Sequence, residues 1–267
     1  MSNLQNFYGF TREPFTSDLK VDELYMLPEL EALVERFDYA VRLGLVTVII
    51  GDVGTGKSTS LRYAVSRLHP AEYRVLSLVA TSGSLLELYR QLCMAMGIEK
   101  RSFSSAYLTK TLRDLFGDIV AKRQTPLLVI DEAHLLRLEV FKQLHTLAQV
   151  DFDSKALLPV ILSGQEILID KLLYHTSKPF ASRVLGRSRL EALNRKDMQG
   201  YLNHHLQVAG LKESLFAEEA ITAIHQGSGG LLRRANHLAK GALLAACRDN
   251  SSIVSAEHVR LASSEIL

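Results

Sequence analysis

Leu45-Val46-Thr47-Val48-Ile49-Ile50-Gly51-Asp52-Val53-Gly54-Thr55-Gly56-Lys57-Ser58 is the stretch whose reading decides the fold. Its first six residues form an apolar, β-branched run that reads as a buried strand, and Ser58 to Arg67 reads as a helix. Between them, glycines allow backbone N–H groups to turn inward around an anion with no Cβ in the way, and the helix that follows aims the positive end of its dipole at the same point. Strand, glycine loop and helix in this order predict a cradle for a nucleoside triphosphate. The backbone of Gly51, Asp52, Val53, Gly54, Thr55 and Gly56 wraps the phosphates, Lys57 reaches the β and γ oxygens, the Ser58 hydroxyl ligates Mg²⁺, and Thr59 extends the binding stretch. The bland alternative is a glycine turn that merely links a strand to a helix.

Outward from this loop, apolar strands alternate with helices. Arg74 to Val79, Leu127 to Ile130, Leu158 to Leu162 and Ser188 to Leu190 read as four more strands, and helices are expected at Pro28 to Leu43, 84 to 97 and 105 to 122. That alternation predicts an α/β fold with a five-stranded parallel sheet sandwiched by helices. After about residue 193 the pattern changes to helices only: Lys196 to Ala209, Ala217 to Gln226, Leu231 to Ala246 and Ala256 to Glu265, the last with Ser255 as its N-cap. The expected division is an α/β nucleotide-binding domain over 1–192, with an irregular N-terminal segment over 1–28, and a small C-terminal helical lid over 193–267.

The third strand runs into Asp131-Glu132-Ala133-His134, 74 residues after Lys57. An Asp at the carboxyl end of a buried strand holds the Mg²⁺ shell, and the next carboxylate polarises the attacking water; Asp131 and Glu132 take those roles. His134 completes a string seen in helicases, but one phosphate loop with a helical lid does not make that two-domain machine. The fourth strand ends at Leu162-Ser163-Gly164-Gln165, where a polar side chain reaches between the γ-phosphate and the water. Gln165 is the first choice and Ser163 the second, against a turn amide that serves only the backbone.

Three arginines, Arg183, Arg187 and Arg189, follow around the fifth strand. A guanidinium fork supplied to a γ-phosphate stabilises transition-state charge and can come from a neighbouring subunit; Arg183 is the leading candidate. A solvated basic helix end is the alternative. In the lid, Gly227-Ser228-Gly229-Gly230-Leu231-Leu232-Arg233-Arg234 places Arg233 one turn into a helix, where it can touch bound phosphates, with Arg234 pointing to solvent.

These motifs together resemble an AAA+ ATPase, and more narrowly the ExeA/GspA-like family. The likeness rests on Phe7-Tyr8-Gly9-Phe10-Thr11-Arg12-Glu13-Pro14-Phe15, Gly51 to Ser58, Leu127 to His134, Leu162 to Glu166, and Gly229 to Asn236, and it covers nearly the whole chain. It departs at Leu232, where many relatives carry proline. The resemblance implies ATP and Mg²⁺ as cofactors, the arginine-finger position at Arg183, sensor one at Gln165 or Ser163, sensor two at Arg233, and Tyr8 and Phe15 near the adenine. Secretion-type members continue into a membrane helix and a peptidoglycan-binding domain, whereas this sequence stops at Leu267. The expectation is therefore a stand-alone ATPase similar to the TnsC, MuB and IstB proteins that accompany transposases. Such proteins form ATP-dependent homo-oligomers, rings or filaments, on double-stranded DNA and present it to the transposase. An ATPase serving a secretion or envelope complex, and a loader or initiator switch, are the alternatives.

Composition bounds these readings without choosing among them. The 267 residues are 47% apolar, enough for one large domain and a small companion. A net charge of +2 creates no global field that demands a polyanion. DNA contacts therefore fall to exposed loops: Thr81 and Ser82 after the second strand, and Lys100 and Arg101 in a later loop, which read equally as solvated charges. The cysteines, Cys93 and Cys247, sit in apolar helical stretches and imply neither a disulfide nor a thiolate metal site. With no signal-like N-terminus and no apolar run of the ~20 residues that span a bilayer, no membrane partner is expected and the location expected is cytoplasmic.

Overall fold

The computed structural model describes residues 3–98, 104–150, 155–156 and 158–265. In chain order these form α1 (Asn3–Tyr8), α2 (Leu30–Leu43), β1 (Val46–Gly51), α3 (Lys57–Ser66), β2 (Tyr73–Val79), α4 (Leu85–Ala95), α5 (Ser105–Ala121), β3 (Thr125–Asp131) and α6 (Leu138–Ala148). The short pair β4 (Gln149–Val150) and β5 (Lys155–Ala156) follows, then β6 (Val160–Gly164), α7 (Ile167–Leu173), α8 (Lys178–Ala181) and β7 (Val184–Leu190). From there the chain is helical, with α9 (Arg195–Val208), α10 (Glu218–Ser228), α11 (Leu232–Arg248) and α12 (Ala256–Ser264). Two compact units emerge, one made of Pro28–Gly51 with Lys57–Leu190, the other of Met1–Leu27, Asp52–Gly56 and Glu191–Leu267.

The first unit holds the expected five-stranded sheet, all parallel, in the order β2-β3-β6-β1-β7. Its central strands are buried on both faces, so β1 and β6 are buried at every residue and mostly apolar, while the edge strands β2 and β7 alternate. Val48, Ile50, Leu128, Ile130 and Leu162 face one core with Tyr89, Leu112, Phe116, Phe141 and Phe180 from α4, α5, α6 and α8. Phe116 and Phe141 are fully buried there, so truncating either to alanine costs about 3–5 kcal/mol. On the opposite face α2 packs on β1 and β7, and α3 on β1 and β6. Register sets Ile50 beside Gly164 and Ile130 beside Leu162, which gathers the carboxyl ends of β1, β3 and β6 into one row. Ligands bind at such a row in open α/β sheets.

Two strand starts depart from the sequence reading for local reasons. The fourth core strand starts at Val160 rather than Leu158, after Pro159, which has no N–H to give the ladder. The fifth starts at Val184 rather than Ser188, because an edge strand keeps Arg187 and Arg189 on its exposed side and so hides its length in the sequence. Helices α1, α6, α7 and α8 lie outside the helices expected from the sequence.

The second unit assembles α9 to α12, with α11 packed on both α10 and α12. The Asn194 side chain accepts from Asp197 N to cap α9, and Ser255, as expected, caps α12 in a box with His258. Gly230, at φ +76°, is irreplaceable at the α10–α11 turn, since a Cβ would lie 2.4 Å from the Leu193 carbonyl oxygen. The N-terminal segment, expected within the nucleotide-binding domain, groups with these helices. The Phe15 ring stacks on His205 at 5.1 Å, the Tyr8 hydroxyl donates to Ser251 O at 3.0 Å, and Lys240 pairs with Glu13 at 2.9 Å. Burial of Leu4, Phe10, Phe15 and Leu19 explains why an irregular stretch is held at all.

Candidate nucleotide-binding site

At the carboxyl edge of the sheet, Lys57 is 6% exposed, and its Nζ donates to Gly51 O at 2.9 Å. The first residue of α3 is thus folded back over the end of β1. Next to it in sequence, Ser58 Oγ donates to Asp131 Oδ2 at 2.6 Å, and Asp131 Oδ1 accepts from Glu132 N at 2.9 Å. A hydroxyl and a carboxylate in contact are hard oxygen donors of the kind that Mg²⁺ takes alongside waters and phosphate oxygens, so Ser58 and Asp131 fit that ion.

Glu132 adopts φ +53°, ψ 32°, a left-handed conformation that costs about 1–3 kcal/mol for a residue with a Cβ. The strained turn carries Glu132 Oε2 to within 3.3 Å of His134 Nδ1. The same Nδ1 lies 3.4 Å from Gln165 N, just past β6. This approach requires Gly164, whose Cβ would lie 3.1 Å from His134 N. From α7, Lys171 Nζ donates to His134 O and, at 2.8 Å, to Leu136 O, and burial holds its pKa below the ordinary lysine value. Asp131-Glu132 and the Gln165 strand end are therefore brought together, through a histidine and a lysine that the sequence reading had not assigned. His134 did carry a signal, its place in the Asp-Glu-Ala-His string; Lys171 carried none, because a single lysine on an amphipathic helix reads as solvated.

Gln165 is half-buried at the strand tip. Ser163 is fully buried, and its Oγ finds no hydrogen-bond partner among the described residues. It pairs in register with Ile49 and so shares the sheet face that α3 covers.

Arg183 lies at the other end of the sheet. Its carbonyl accepts from Val46 N at 3.0 Å, at the start of β1, while the phosphate loop follows the end of that strand. At ~3.3 Å per residue, the length of β1 separates the two by roughly 16 Å or more. Burial holds the Arg183 pKa below its ordinary value, and burial together with the Arg183 charge lowers that of His145 on α6. Arg187 and Arg189 are exposed on β7, the latter 3.4 Å from Glu166.

Within the helical unit, Thr55 closes the loop by donating both N and Oγ1 to Asp52 O, at 3.3 and 2.9 Å. Gly54 and Gly56 take φ +90° and +95°. Arg233 N donates to Gly54 O at 3.3 Å, and a Cβ on Gly54 would lie 3.0 Å from Arg233 Cβ. Arg233 is thus against the loop, with both it and Arg234 exposed. A cavity of about 500 Å³ adjoins it, lined by Phe15, Asp18, Asn236, His237 and Lys240. Phe15, at 4% exposed, presents little more than an edge to that space. Tyr8, expected near the adenine with it, does not line the cavity. Its hydroxyl is committed to Ser251 O, and burial, with the Cys247 charge adding to it, pushes its pKa up to about 12.

Thr81 and Ser82 are exposed between β2 and α4, and Ser82 O accepts from the exposed Arg137 Nε at 3.1 Å. Arg137 is a basic neighbour the sequence reading missed, since the turn that carries it lies 55 residues away. Lys100 and Arg101 lie outside the described residues. Among the described residues, no helix is long and apolar enough to cross a membrane.

Residues 41–173 match the AAA domain family. Over 263 residues the chain is 29% identical to general secretion pathway protein A of Aeromonas hydrophila, covering 97% of this chain and 48% of that one. The chain thus spans about half the length of that curated relative. Among solved structures, Cdc6p of Pyrobaculum aerophilum superposes with a TM-score of 0.75 at 18% identity, over 95% of this chain and 70% of that one. The ORC1 protein of Aeropyrum pernix, solved in complex with DNA, gives 0.71 at 16%, over 94% and 68%. The Holliday junction branch migration motor RuvB of Thermotoga maritima gives 0.59 at 16%, over 94% and 73%. At these identities the solved structures establish the fold.

Proposed function

We propose that this chain, whose residues 41–173 match the AAA domain family, is an ATPase that works as an ATP-driven assembly switch: copies join on double-stranded DNA when ATP is bound, present that DNA to a transposase, and separate on hydrolysis. The observation that carries the ATP half is the 2.6 Å contact between Ser58 Oγ and Asp131 Oδ2, which joins the phosphate loop to the acidic strand end.

In this reading the loop N–H groups from Gly51 to Thr59 and the Lys57 ammonium hold the phosphates, while Ser58 and Asp131 hold Mg²⁺. The ion, when bound, neutralises charge on the β and γ oxygens. Glu132 orients the attacking water and draws its proton, Gln165 fixes water and γ-phosphate from the strand tip, and Arg233 beside Gly54 reports the state of the phosphates to the helices that follow it. Gln165 is preferred to Ser163 because the latter points into the face under α3. Arg183 serves a neighbour's nucleotide, since the length of β1 keeps it from its own; this supports a homo-oligomer. The cytoplasm, where ATP is supplied, is the location that goes with this reading.

Support for duplex DNA comes from the exposed Thr81 and Ser82 between β2 and α4, with the exposed Arg137 donating to Ser82 O, short polar and basic groups of the kind that contact phosphates. A second reading, an ATPase that drives a secretion or envelope complex through protein contacts, is favoured by the 29% identity that runs along 97% of the chain. Sedimentation with ATP at low salt, with and without duplex DNA, separates them. Fast-sedimenting material only when both are present supports the DNA reading, and DNA-independent behaviour at low salt refutes it.

A further inference from the structure

His134 Nδ1 has two partners that make opposite demands on it. Glu132 Oε2, at 3.3 Å, is a carboxylate oxygen and requires Nδ1 to carry a proton. Gln165 N, at 3.4 Å, is a backbone donor and requires Nδ1 to be bare. One ring nitrogen meets one demand at a time. The surroundings meanwhile fix where this ring can go. Lys171 holds the carbonyls of His134 and Leu136, and Gly164 lets β6 approach to the contact limit at His134 N.

We infer that His134 is a positioning residue that couples the strand end bearing Gln165 to the carboxylate of Glu132: with Nδ1 protonated it restrains Glu132, and with Nδ1 accepting from Gln165 N it releases the carboxylate to the attacking water. The coupling rests on the reading of Glu132 as the base. It gives a route by which a γ-phosphate contact at Gln165 sets the orientation of Glu132 through a tautomer shift alone: the N–H bond at Nδ1 is lost to water as one forms at Nε2, with the net protonation of the ring unchanged. The groups that meet the ring at Nδ1 are Glu132 from its own turn and Gln165 from the β6 end, while Lys171 from α7 holds the carbonyl of the same residue. Sequence alone conceals the arrangement, because 31 residues separate His134 from Gln165.

Two amide substitutions test it. His134→Asn places an amide where Nδ1 was and can donate or accept there; His134→Gln places it where Nε2 was and can do neither at that point. Steady-state phosphate release and ATP affinity are measured for both, beside Glu132→Gln and the parent. The expected result is KM and ATP affinity within about threefold of the parent for both histidine variants, kcat retained within about threefold by Asn, and kcat reduced about tenfold or more by Gln. Equal kcat for the two variants, whether both intact or both reduced, overturns the role of Nδ1. Equal loss of ATP affinity overturns it too, because it marks a structural role. If Glu132→Gln itself hydrolyses ATP at the parent rate, the reading of Glu132 fails and the inference falls with it; if that variant is inactive while Asn and Gln behave alike, only the inference about His134 fails.

Discussion

Ser58 Oγ and Asp131 Oδ2 meet at 2.6 Å across 73 residues of sequence. The contact joins the first turn of α3 to the end of β3 and brings together two hard oxygens that would hold a divalent ion. Removing either should weaken the ion before it weakens the fold, since Ser58 is exposed and Asp131 sits at a strand end. For Ser58→Ala, phosphate release titrated against Mg²⁺ should demand at least about tenfold more of the ion, with thermal stability unchanged. An unchanged Mg²⁺ requirement would remove Ser58 from the ion's shell.

Arg183→Ala should bind ATP normally yet turn it over on the order of 10³-fold more slowly, the scale associated with a guanidinium supplied to a γ-phosphate. Because Arg183 lies beside Val46, at the far end of β1 from the phosphate loop, the defect should be repaired in trans. Mixing it with Lys57→Ala, itself unable to bind ATP, should restore turnover that neither variant has alone. Failure of the mixture, with each variant folded, would move the role to Arg187 or Arg189.

Gly54→Ala introduces a Cβ at φ +90° and 3.0 Å from Arg233 Cβ. Strain of about 1–2 kcal/mol is expected in the loop. The contact should also displace α11's first turn, so nucleotide affinity should fall along with stability. Urea unfolding with and without ATP measures both; a variant as stable as the parent with undiminished affinity would show that Arg233 has room to yield.

His205 gives the helical unit a pH dependence whose sign is fixed. Burial first, then the charges of His204 and Arg12, lower its pKa from the ordinary 6.5 to about 3. Between those values the unfolded chain takes up a proton that the folded chain refuses, so stability is complete above about pH 6.5 and declines as pH falls towards 3. Each tenfold of proton affinity is worth about 1.4 kcal/mol, so the loss reaches several kcal/mol at the acid end. Replacing His205 by Leu, beside Phe15 and Tyr201, should flatten the decline. Urea midpoints at pH 7 and pH 5 read it directly, and an identical slope for parent and variant would rule His205 out as the cause.

Much of this molecule is legible in its sequence where side chains repeat a simple period. The buried run at Val46 to Ile50 and the aspartate after Leu127 to Ile130 announce a parallel sheet with an acidic end, and both stand where they were expected. Edge strand β7 was read too short because Arg187 and Arg189 break the apolar run on its solvent side. Tyr8 and Phe15 were assigned together, but they diverge: one is committed to Ser251 O, the other stacked on His205. Contacts such as Lys171 with His134 O, or Arg137 with Ser82 O, join side chain to backbone across distant turns, and no periodicity encodes them. Residue type marks a side chain as polar; only the fold says which carbonyl it reaches.

Glu132, held in a left-handed turn at the end of β3, is the residue on which the proposed hydrolysis turns. The most direct measurement is ATP binding and phosphate release by Glu132→Gln, with Lys57→Ala as the binding-defective control. Parent-like ATP affinity with phosphate release reduced by about 10²-fold or more is the expected result. Parent-rate phosphate release by Glu132→Gln would contradict it.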